Sequence, residues 1–168
     1  MELLKRIEEL KSDKRQLWQD EIIANLPDKE HLKILDVGCG PGFFSVILSS
    51  LGHDVIGIDL TESMIQKADE IADILDYDID FRVMNAQELD FDDEEFDVVI
   101  SRNLTWTLPD IEKAYKEWYR VLKKDGVLLN FDADYGKVSL KEEMKSLGEE
   151  HSHNMMDSSL VKECDDIK

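Results

Sequence analysis

The sequence predicts an α/β fold in which a doubly wound, mostly parallel sheet of about five strands has helices on both faces. Short apolar runs alternate along the chain with segments that carry apolar residues at helical spacing, and this alternation is typical of parallel sheets. Several runs are almost continuously apolar, as expected for strands that are buried on both faces. The strand candidates are residues 33–37, 54–59, 80–84, 96–101 and 126–133.

Three helices are predicted between these strands, within residues 42–52, 61–76 and 109–126. Thr61 is placed to cap the second helix, and Gly126 follows the basic pair Lys123-Lys124, which predicts the end of the third. Before the first strand, apolar residues recur at helical spacing with a break near Ser12-Asp13. We therefore expect two short amphipathic helices at the start of the chain.

A chain of 168 residues suits a single domain with its own core. Within it we expect an N-terminal helical cap over 1–30, a ligand-binding core over 31–135 and a C-terminal helical segment over 136–168. The N-terminus has no uninterrupted apolar stretch, so we expect neither a signal peptide nor a membrane span.

The composition argues against several classes of function. The chain has 39 acidic and 20 basic residues, a net charge of −19, which disfavours DNA and RNA as partners. Cys39 and Cys164 are far apart and fit no zinc or disulfide pattern, so a reducing cytoplasm is the expected setting. No metal site is predicted, because His151 and His153 do not match a strong ligand spacing either.

A glycine-rich loop joins the first strand to an apolar helix. Asp36 is followed by glycines at 38, 40 and 42, which permit positive φ angles and let backbone N–H groups approach a ligand closely. Ligands of open α/β sheets bind beyond the carboxyl ends of the strands, which is where this loop lies. A tight turn without a ligand would have the same glycine pattern.

An acid at the end of the second strand strengthens the case for a ligand. Asp59 lies about 20 residues after the loop, at the spacing of a carboxylate that binds ribose hydroxyls. A cofactor that contains a nucleoside is therefore expected. The dinucleotide pattern G-x-G-x-x-G fits less well than the alternative, S-adenosylmethionine (SAM), because Phe43 stands at the position of its last glycine.

Four segments in order resemble the motifs of class I SAM-dependent methyltransferases over roughly residues 30 to 135: LDVGCGPGFFS, VIGIDLTESMI, RVMNAQELDFDDEEFDVVISRN and YRVLKKDGVLL. The resemblance implies a Rossmann-like sheet of order 3-2-1-4-5. It also implies that this protein is an enzyme that uses SAM as methyl donor and releases S-adenosylhomocysteine (SAH).

The same resemblance implies roles for individual residues. The methionine part of SAM would lie against the loop, the ribose on Asp59, and the adenine on Leu60 and Met64. Asn85 stands where the family usually has an acid beside the adenine, so we expect a modified affinity. The implied cofactor-binding residues are Asp36, Gly38, Cys39, Gly40, Asp59, Leu60, Met64, Asn85, Ala86 and Arg102.

Two of these assignments have a simpler alternative, because Met64 could be a helix core residue and Arg102 a surface ion-pair partner. By the resemblance, Ser101, Arg102 and Asn103 would face the methyl donor or the acceptor.

Methyl transfer from a sulfonium needs orientation and exclusion of water, with no obligatory covalent residue. Ser101-Arg102-Asn103-Leu104 replaces the Asn/Asp-Pro-Pro-Tyr/Phe pattern of enzymes that methylate nucleic-acid bases, so a small-molecule acceptor is favoured. Arg102, His151 and His153 are the candidate catalytic residues, and Trp106 is expected to pack near the Pro109 turn. Further candidates on the acceptor side are Asp132, Asp134 and Tyr135.

After the fifth strand candidate no further convincing strand is predicted, whereas the family usually adds a helix and a β-hairpin. We therefore expect the hairpin to be absent and the fifth strand to form a sheet edge, covered by C-terminal helices or by a second copy in a homodimer. Two alternatives to an active methyltransferase remain open. One is a SAM-binding module without turnover, and the other, less favoured because of Phe43, is a nicotinamide-dependent oxidoreductase.

Overall fold

The computed structural model describes residues 1–132, and its centre is a five-stranded parallel sheet of order β3-β2-β1-β4-β5. Both the α/β class and the predicted strand order are confirmed. Four predicted strands agree with the observed ones to within a residue at each end. The strands are β1 (Lys33–Val37), β2 (Asp54–Asp59), β3 (Asp80–Val83), β4 (Phe96–Arg102) and β5 (Leu122–Phe131).

Helices precede the sheet and connect its strands. The predicted break between the first two helices is confirmed at Lys11 and Ser12. Thr61 is the N-cap of the fourth helix but makes no side-chain capping bond, whereas Asp110 caps the fifth by accepting from the Lys113 N–H at 3.0 Å. The helices are α1 (Glu2–Leu10), α2 (Asp13–Asn25), α3 (Phe43–Ser50), α4 (Glu62–Ile74) and α5 (Ile111–Val121).

The predicted end of the last helix at Lys123-Lys124 is wrong. Helix α5 ends at Val121 and the chain enters β5 at the next residue, Leu122, which is buried opposite Phe96. The Lys123 ammonium pairs with Asp97 at 3.3 Å, next to an irregularity in the register of β4 and β5. Two lysines close to a glycine look like a helix end in sequence, but here both lysines belong to β5 and Lys123 pairs with the neighbouring strand.

Each face of the sheet has its own apolar core. Helices α1 to α4 cover one face, where Trp18 of α2 packs edge-on against Phe44 of α3 and Phe131 of β5. Helix α5 covers the opposite face, with Trp118 fully buried at its centre. Strands β1, β2 and β4 are buried along most of their length between these layers, which explains their nearly continuous hydrophobic runs.

Strand β5 forms one edge of the sheet, because within residues 1–132 it pairs only with β4. The predictions of a missing hairpin and of a C-terminal helical segment concern residues outside the described part of the chain. None of the helices within residues 1–132 has the length and apolarity needed to cross a membrane.

Candidate functional site

A cavity of about 340 Å³ opens at the carboxyl ends of β1, β2 and β3, and this volume is in the range of small-molecule sites. Its fourth side is the loop that follows β4. We call this pocket the central cavity. Its lining residues are Gly38, Asp59, Leu60, Thr61, Met84, Asn85, Ala86, Gln87, Leu104, Thr107, Leu108 and Pro109.

The glycine loop has the backbone conformation that its sequence predicts. Gly38, Gly40 and Gly42 all have positive φ, at 64°, 52° and 86°. A Cβ on Gly42 would lie 3.0 Å from Phe81 of β3 and 3.3 Å from Ala68 of α4, so the loop packs tightly against these two elements. A Cβ on Gly40 would meet no atom within 4 Å, so this part of the loop faces open space where a ligand can approach the backbone.

Asp59 joins the glycine loop to the end of β2. One carboxylate oxygen accepts from the Gly40 N–H at 3.0 Å and the other from the Thr61 N–H at 2.9 Å. A carboxylate has about four acceptor positions, so two remain for a ligand in the central cavity. Asp59 therefore fixes the loop and still offers the acceptors that a ribose diol requires.

Asp36 lies under the loop, only 2% exposed. The Ser45 hydroxyl donates to its carboxylate at 2.6 Å. Burial raises the pKa of Asp36 to about 7, against the opposing effects of the Ser45 hydrogen bond and the Arg102 charge. Burial also raises the pKa of the adjacent Cys39 thiol, which remains protonated.

The far wall of the central cavity is mainly apolar. Leu60 is 70% exposed and offers an open flat contact, while Ala86 is buried and is fixed by a hydrogen bond from the Trp118 indole to its carbonyl at 2.9 Å. The Asn85 side-chain oxygen accepts from the Gln87 N–H at 2.9 Å.

The loop after β4 closes the cavity, and Asp132 at the end of β5 holds it. The Asp132 carboxylate accepts from the Leu104 N–H at 3.0 Å, from the Thr105 hydroxyl and from the Asn130 amide at 3.1 Å. Leu104 then lies so close to Gly38 that a Cβ there would be 2.7 Å from it. This function of Asp132 could not be predicted from the sequence, because its partners lie up to 28 residues away in the chain.

The structure brings only some of the predicted cofactor-binding residues to the cavity wall: Gly38, Asp59, Leu60, Asn85 and Ala86. It places Asp36, Cys39, Gly40, Met64 and Arg102 outside the lining, with Asp36, Cys39 and Gly40 in or under the loop. Met64 is half-buried on α4, and Met84, which was not predicted, lines the cavity instead.

Two expectations near the end of β4 are not met. Ser101 does not face the cavity: it is fully buried and its hydroxyl donates to Asn130 at 2.6 Å. Trp106 is 64% exposed and so does not provide the buried packing that was predicted for it. It lies in the short 3₁₀ turn Thr105–Thr107, which leaves its ring on the surface.

Arg102 lies on the other face of the sheet from Ser101. Its guanidinium stacks over the rings of Trp18, Phe43 and Phe44, at 5.3, 5.0 and 4.9 Å from their centroids. The predicted surface ion pair is therefore not what holds it in place. The remaining candidates, Asp134, Tyr135, His151, His153 and Cys164, lie outside the described residues.

Comparison with known proteins identifies the family. A family model described as a methyltransferase domain matches residues 35–130, more than half of the chain. This chain belongs to that family, the class I SAM-dependent methyltransferases.

Two curated relatives from different bacteria support the assignment. The ubiquinone/menaquinone biosynthesis C-methyltransferase UbiE of Rickettsia prowazekii is 37% identical over 118 residues, which are 66% of this chain and 47% of that protein. A ubiquinone biosynthesis O-methyltransferase of Pelagibacter ubique is 33% identical over 99 residues, 59% of this chain and 41% of the relative. The chain thus spans about half the length of the curated relatives it matches.

Solved structures show the same fold. A SAM-dependent methyltransferase from Methanosarcina mazei superposes with a TM-score of 0.65 at 29% identity, covering 84% of this chain and 66% of that one. The PH0226 protein of Pyrococcus horikoshii has a TM-score of 0.70 at 24% identity, with 90% and 80% of the two chains covered.

Proposed function

We propose that this chain binds SAM in the central cavity and transfers its methyl group to a small-molecule acceptor. The observation that carries the proposal is the position of Asp59, which ties down the Gly40 backbone and keeps two acceptor positions for ribose hydroxyls at the cavity wall. The family to which the chain belongs uses SAM, and the cavity has the volume and the mixed polar and apolar walls that a nucleoside requires.

The proposed contacts follow the order of groups in the ligand. Asp59 binds the ribose, while Leu60 and Ala86 contact the adenine ring, with Asn85 at its edge and Met64 nearby on α4. The methionine part lies against Gly38, Cys39 and Gly40, with Asp36 beneath them. In this division the core over 31–135 binds the donor, while 1–30 and 136–168 complete the acceptor side.

The protein's contribution to the reaction is orientation and exclusion of water. When bound, SAM would supply an activated methyl group to the acceptor, with the thioether of SAH as the leaving group. Leu104, Leu108 and Pro109 form an apolar wall over the glycine loop that limits water access to the donor. The buried Asp36 carboxyl places negative charge beneath the loop when it is ionised, which favours a cationic ligand above it.

A small acceptor is supported by two observations. The net charge of −19 disfavours nucleic acid, and relatives such as UbiE are named for quinone biosynthesis.

Arg102, His151 and His153 are kept as candidates for contact with the acceptor. We also propose a cytoplasmic protein and a homodimer formed through the outer edge of β5.

Isothermal calorimetry with SAM, SAH and NAD tests the donor assignment. SAM and SAH should bind and NAD should not; binding of NAD alone would overturn the assignment. We expect Asp59→Ala to weaken SAH binding by about 1.5 to 3 kcal/mol, because hydrogen bonds to a charged group are lost.

The matched control is Asp54→Ala, at the exposed start of the same strand, which should leave the SAH affinity unchanged. Equal affinities of the Asp59 variant and the wild-type protein would reject the ribose role. Turnover is tested separately by SAH formation across a panel of phenols, amines and carboxylates; SAH binding without any turnover would favour a binding module.

A further inference from the structure

Among residues 1–132, the Arg102 guanidinium is held by aromatic ring faces. Trp18, Phe43 and Phe44 approach it from α2 and α3 with centroid distances of 4.9 to 5.3 Å. Ring faces attract the cation through their quadrupoles and use none of its N–H groups. Within residues 1–132 the guanidinium donates no hydrogen bond and forms no ion pair.

In the described part of the chain, the negative charges nearest to Arg102 are bound to other partners. Glu9 on α1 and Asp36 on β1 interact electrostatically with Arg102, and so does the like-charged Arg6. Glu9 is paired with Lys14 and Arg6, and Asp36 accepts from the Ser45 hydroxyl. A guanidinium has five N–H donors in one plane, so Arg102 has donors to spare for a ligand.

Burial lowers the pKa of Arg102 from its ordinary value, yet a guanidinium stays charged at neutral pH. A partly buried cation without a protein partner is costly, and an anionic ligand would offset that cost. A planar monoanion fits best. A carboxylate matches the donor fork with two parallel hydrogen bonds, whereas a dianionic phosphate would be repelled more strongly by the nearby Glu9 and Asp36.

We propose that Arg102 is a carboxylate-binding residue between the donor loop and the acceptor side, held in position by Trp18, Phe43 and Phe44. The proposal rests on the proposed function and extends it by naming the ligand group. Two sources can supply the carboxylate. One is the methionine part of the donor, which would lie near the glycine loop, and the other is a carboxylate on the acceptor.

The first arm of the test concerns the donor. Wild-type protein, Arg102→Met and Arg102→Lys are titrated with SAH and with 5′-methylthioadenosine, which lacks the amino acid part. If the donor is the source, Arg102→Met binds SAH roughly 10- to 100-fold more weakly and 5′-methylthioadenosine as the wild type does. Arg102→Lys retains the charge without the planar fork, so its affinity should be intermediate.

The second arm concerns the acceptor. Free and SAH-saturated protein are titrated with benzoate and with neutral benzamide, and binding is followed by NMR. If the acceptor is the source, benzoate binds in preference to benzamide, and Arg102→Met abolishes that preference while binding of SAH is unchanged. The control Arg82→Met removes a surface arginine paired with Asp80. It should change neither the affinity for SAH nor the preference for benzoate over benzamide.

Thermal melting shows whether Arg102→Met is folded. The proposal fails if the folded variant discriminates between SAH and 5′-methylthioadenosine as the wild type does, and also between benzoate and benzamide. Failure of the wild-type protein to bind either adenosine ligand would instead contradict the proposed function, and the benzoate arm on free protein would still test Arg102.

Discussion

At the scale of single residues, the site depends on carboxylates in very different surroundings. Asp59 lies at the cavity wall and is held by two backbone N–H groups, whereas Asp36 is buried beneath the loop with one hydroxyl partner. The first is suited to bind a ligand directly. The second changes the charge beneath the loop near neutral pH, because burial raises its pKa to about 7.

Asp36 should make the protein less stable as pH rises. Its pKa is about 7 in the folded protein, whereas the ordinary pKa of an aspartate in an unfolded chain is 3.8. Between these two pH values the folded state holds a proton that the unfolded chain releases. This contribution to the free energy of unfolding is complete below pH 3.8, falls as pH rises and is lost above about 7. Asp36→Asn keeps an acceptor for Ser45 and removes the titration.

We therefore expect Asp36→Asn to gain stability relative to the wild-type protein as pH rises from 4.5 to 7.5, measured by urea unfolding at several pH values. The difference between variant and wild type isolates this group from carboxylates with lowered pKa, such as Asp97, whose effects have the opposite sign. Asp54→Asn, at an exposed position, is the control. A difference that is independent of pH would contradict the burial argument.

Asn85 offers a gain-of-affinity prediction. Its side-chain oxygen already accepts from the Gln87 N–H, and an aspartate would keep this bond while presenting a charged acceptor to the adenine amino group. Asn85→Asp should strengthen SAH binding by about 1 kcal/mol. Calorimetry with SAH measures the change, and Asn85→Ala, which loses both bonds, should bind more weakly. Weaker binding by the aspartate variant would show that the base does not meet this side chain.

At the scale of structural elements, the loop after β4 is the least predictable part of the site. Its sequence indicates a turn, but its position depends on Asp132 at the end of another strand and on contact between Leu104 and Gly38. The glycine loop and Asp59 were predictable because their signals are local, namely glycines after an apolar strand and an acid at the end of the next. Contacts between distant segments leave no such local signal.

Asp132 should be a positioning residue for cofactor binding. Asp132→Ala removes the acceptor of the Leu104 N–H and the Thr105 hydroxyl, so the loop should leave the cavity wall and the affinity for SAH should fall by about 1 to 3 kcal/mol. Asp132→Asn keeps one oxygen acceptor, so its affinity for SAH should lie between those of Asp132→Ala and the wild-type protein. A merely structural role would lower the melting temperature of both variants and leave the SAH affinity of the folded protein unchanged.

The boundary between α5 and β5 shows how a local pattern can mislead. Lys123, Lys124 and Gly126 have the composition of a helix end, yet the helix stops at Val121 because Leu122 is buried against β4 and Lys123 pairs with Asp97. Both causes involve residues more than 20 positions away. Strand interiors could therefore be predicted closely, while this boundary could not.

At the scale of the whole molecule, the sheet has one long strand at its edge. Within residues 1–132 the outward side of β5 has no strand partner, and an open row of backbone groups is a site for association. If a second copy covers this edge, amide exchange along residues 127–131 should be slow and the protein should sediment as a dimer at micromolar concentration. A monomer with rapid exchange along β5 would contradict the homodimer.

The overall architecture was the part that the sequence predicted best. Apolar runs such as residues 33–37 and 96–101 are buried on both faces, and the alternation with helices allows few arrangements besides a parallel sheet. The packing of α2 was harder to predict. An amphipathic helix was predicted here, but Leu17 and Ile23, next to the buried Trp18 and Ile22, are exposed. The place of Trp18 beside Phe44 and Phe131 depends on the complete fold.

The hydrogen bond between Gly40 and Asp59 has a consequence for the kinetics of binding. Because Asp59 holds the loop through the protein's own backbone, the loop is already in place before any ligand arrives. Little ordering entropy is then spent on association, and encounter is not delayed by rearrangement of this segment.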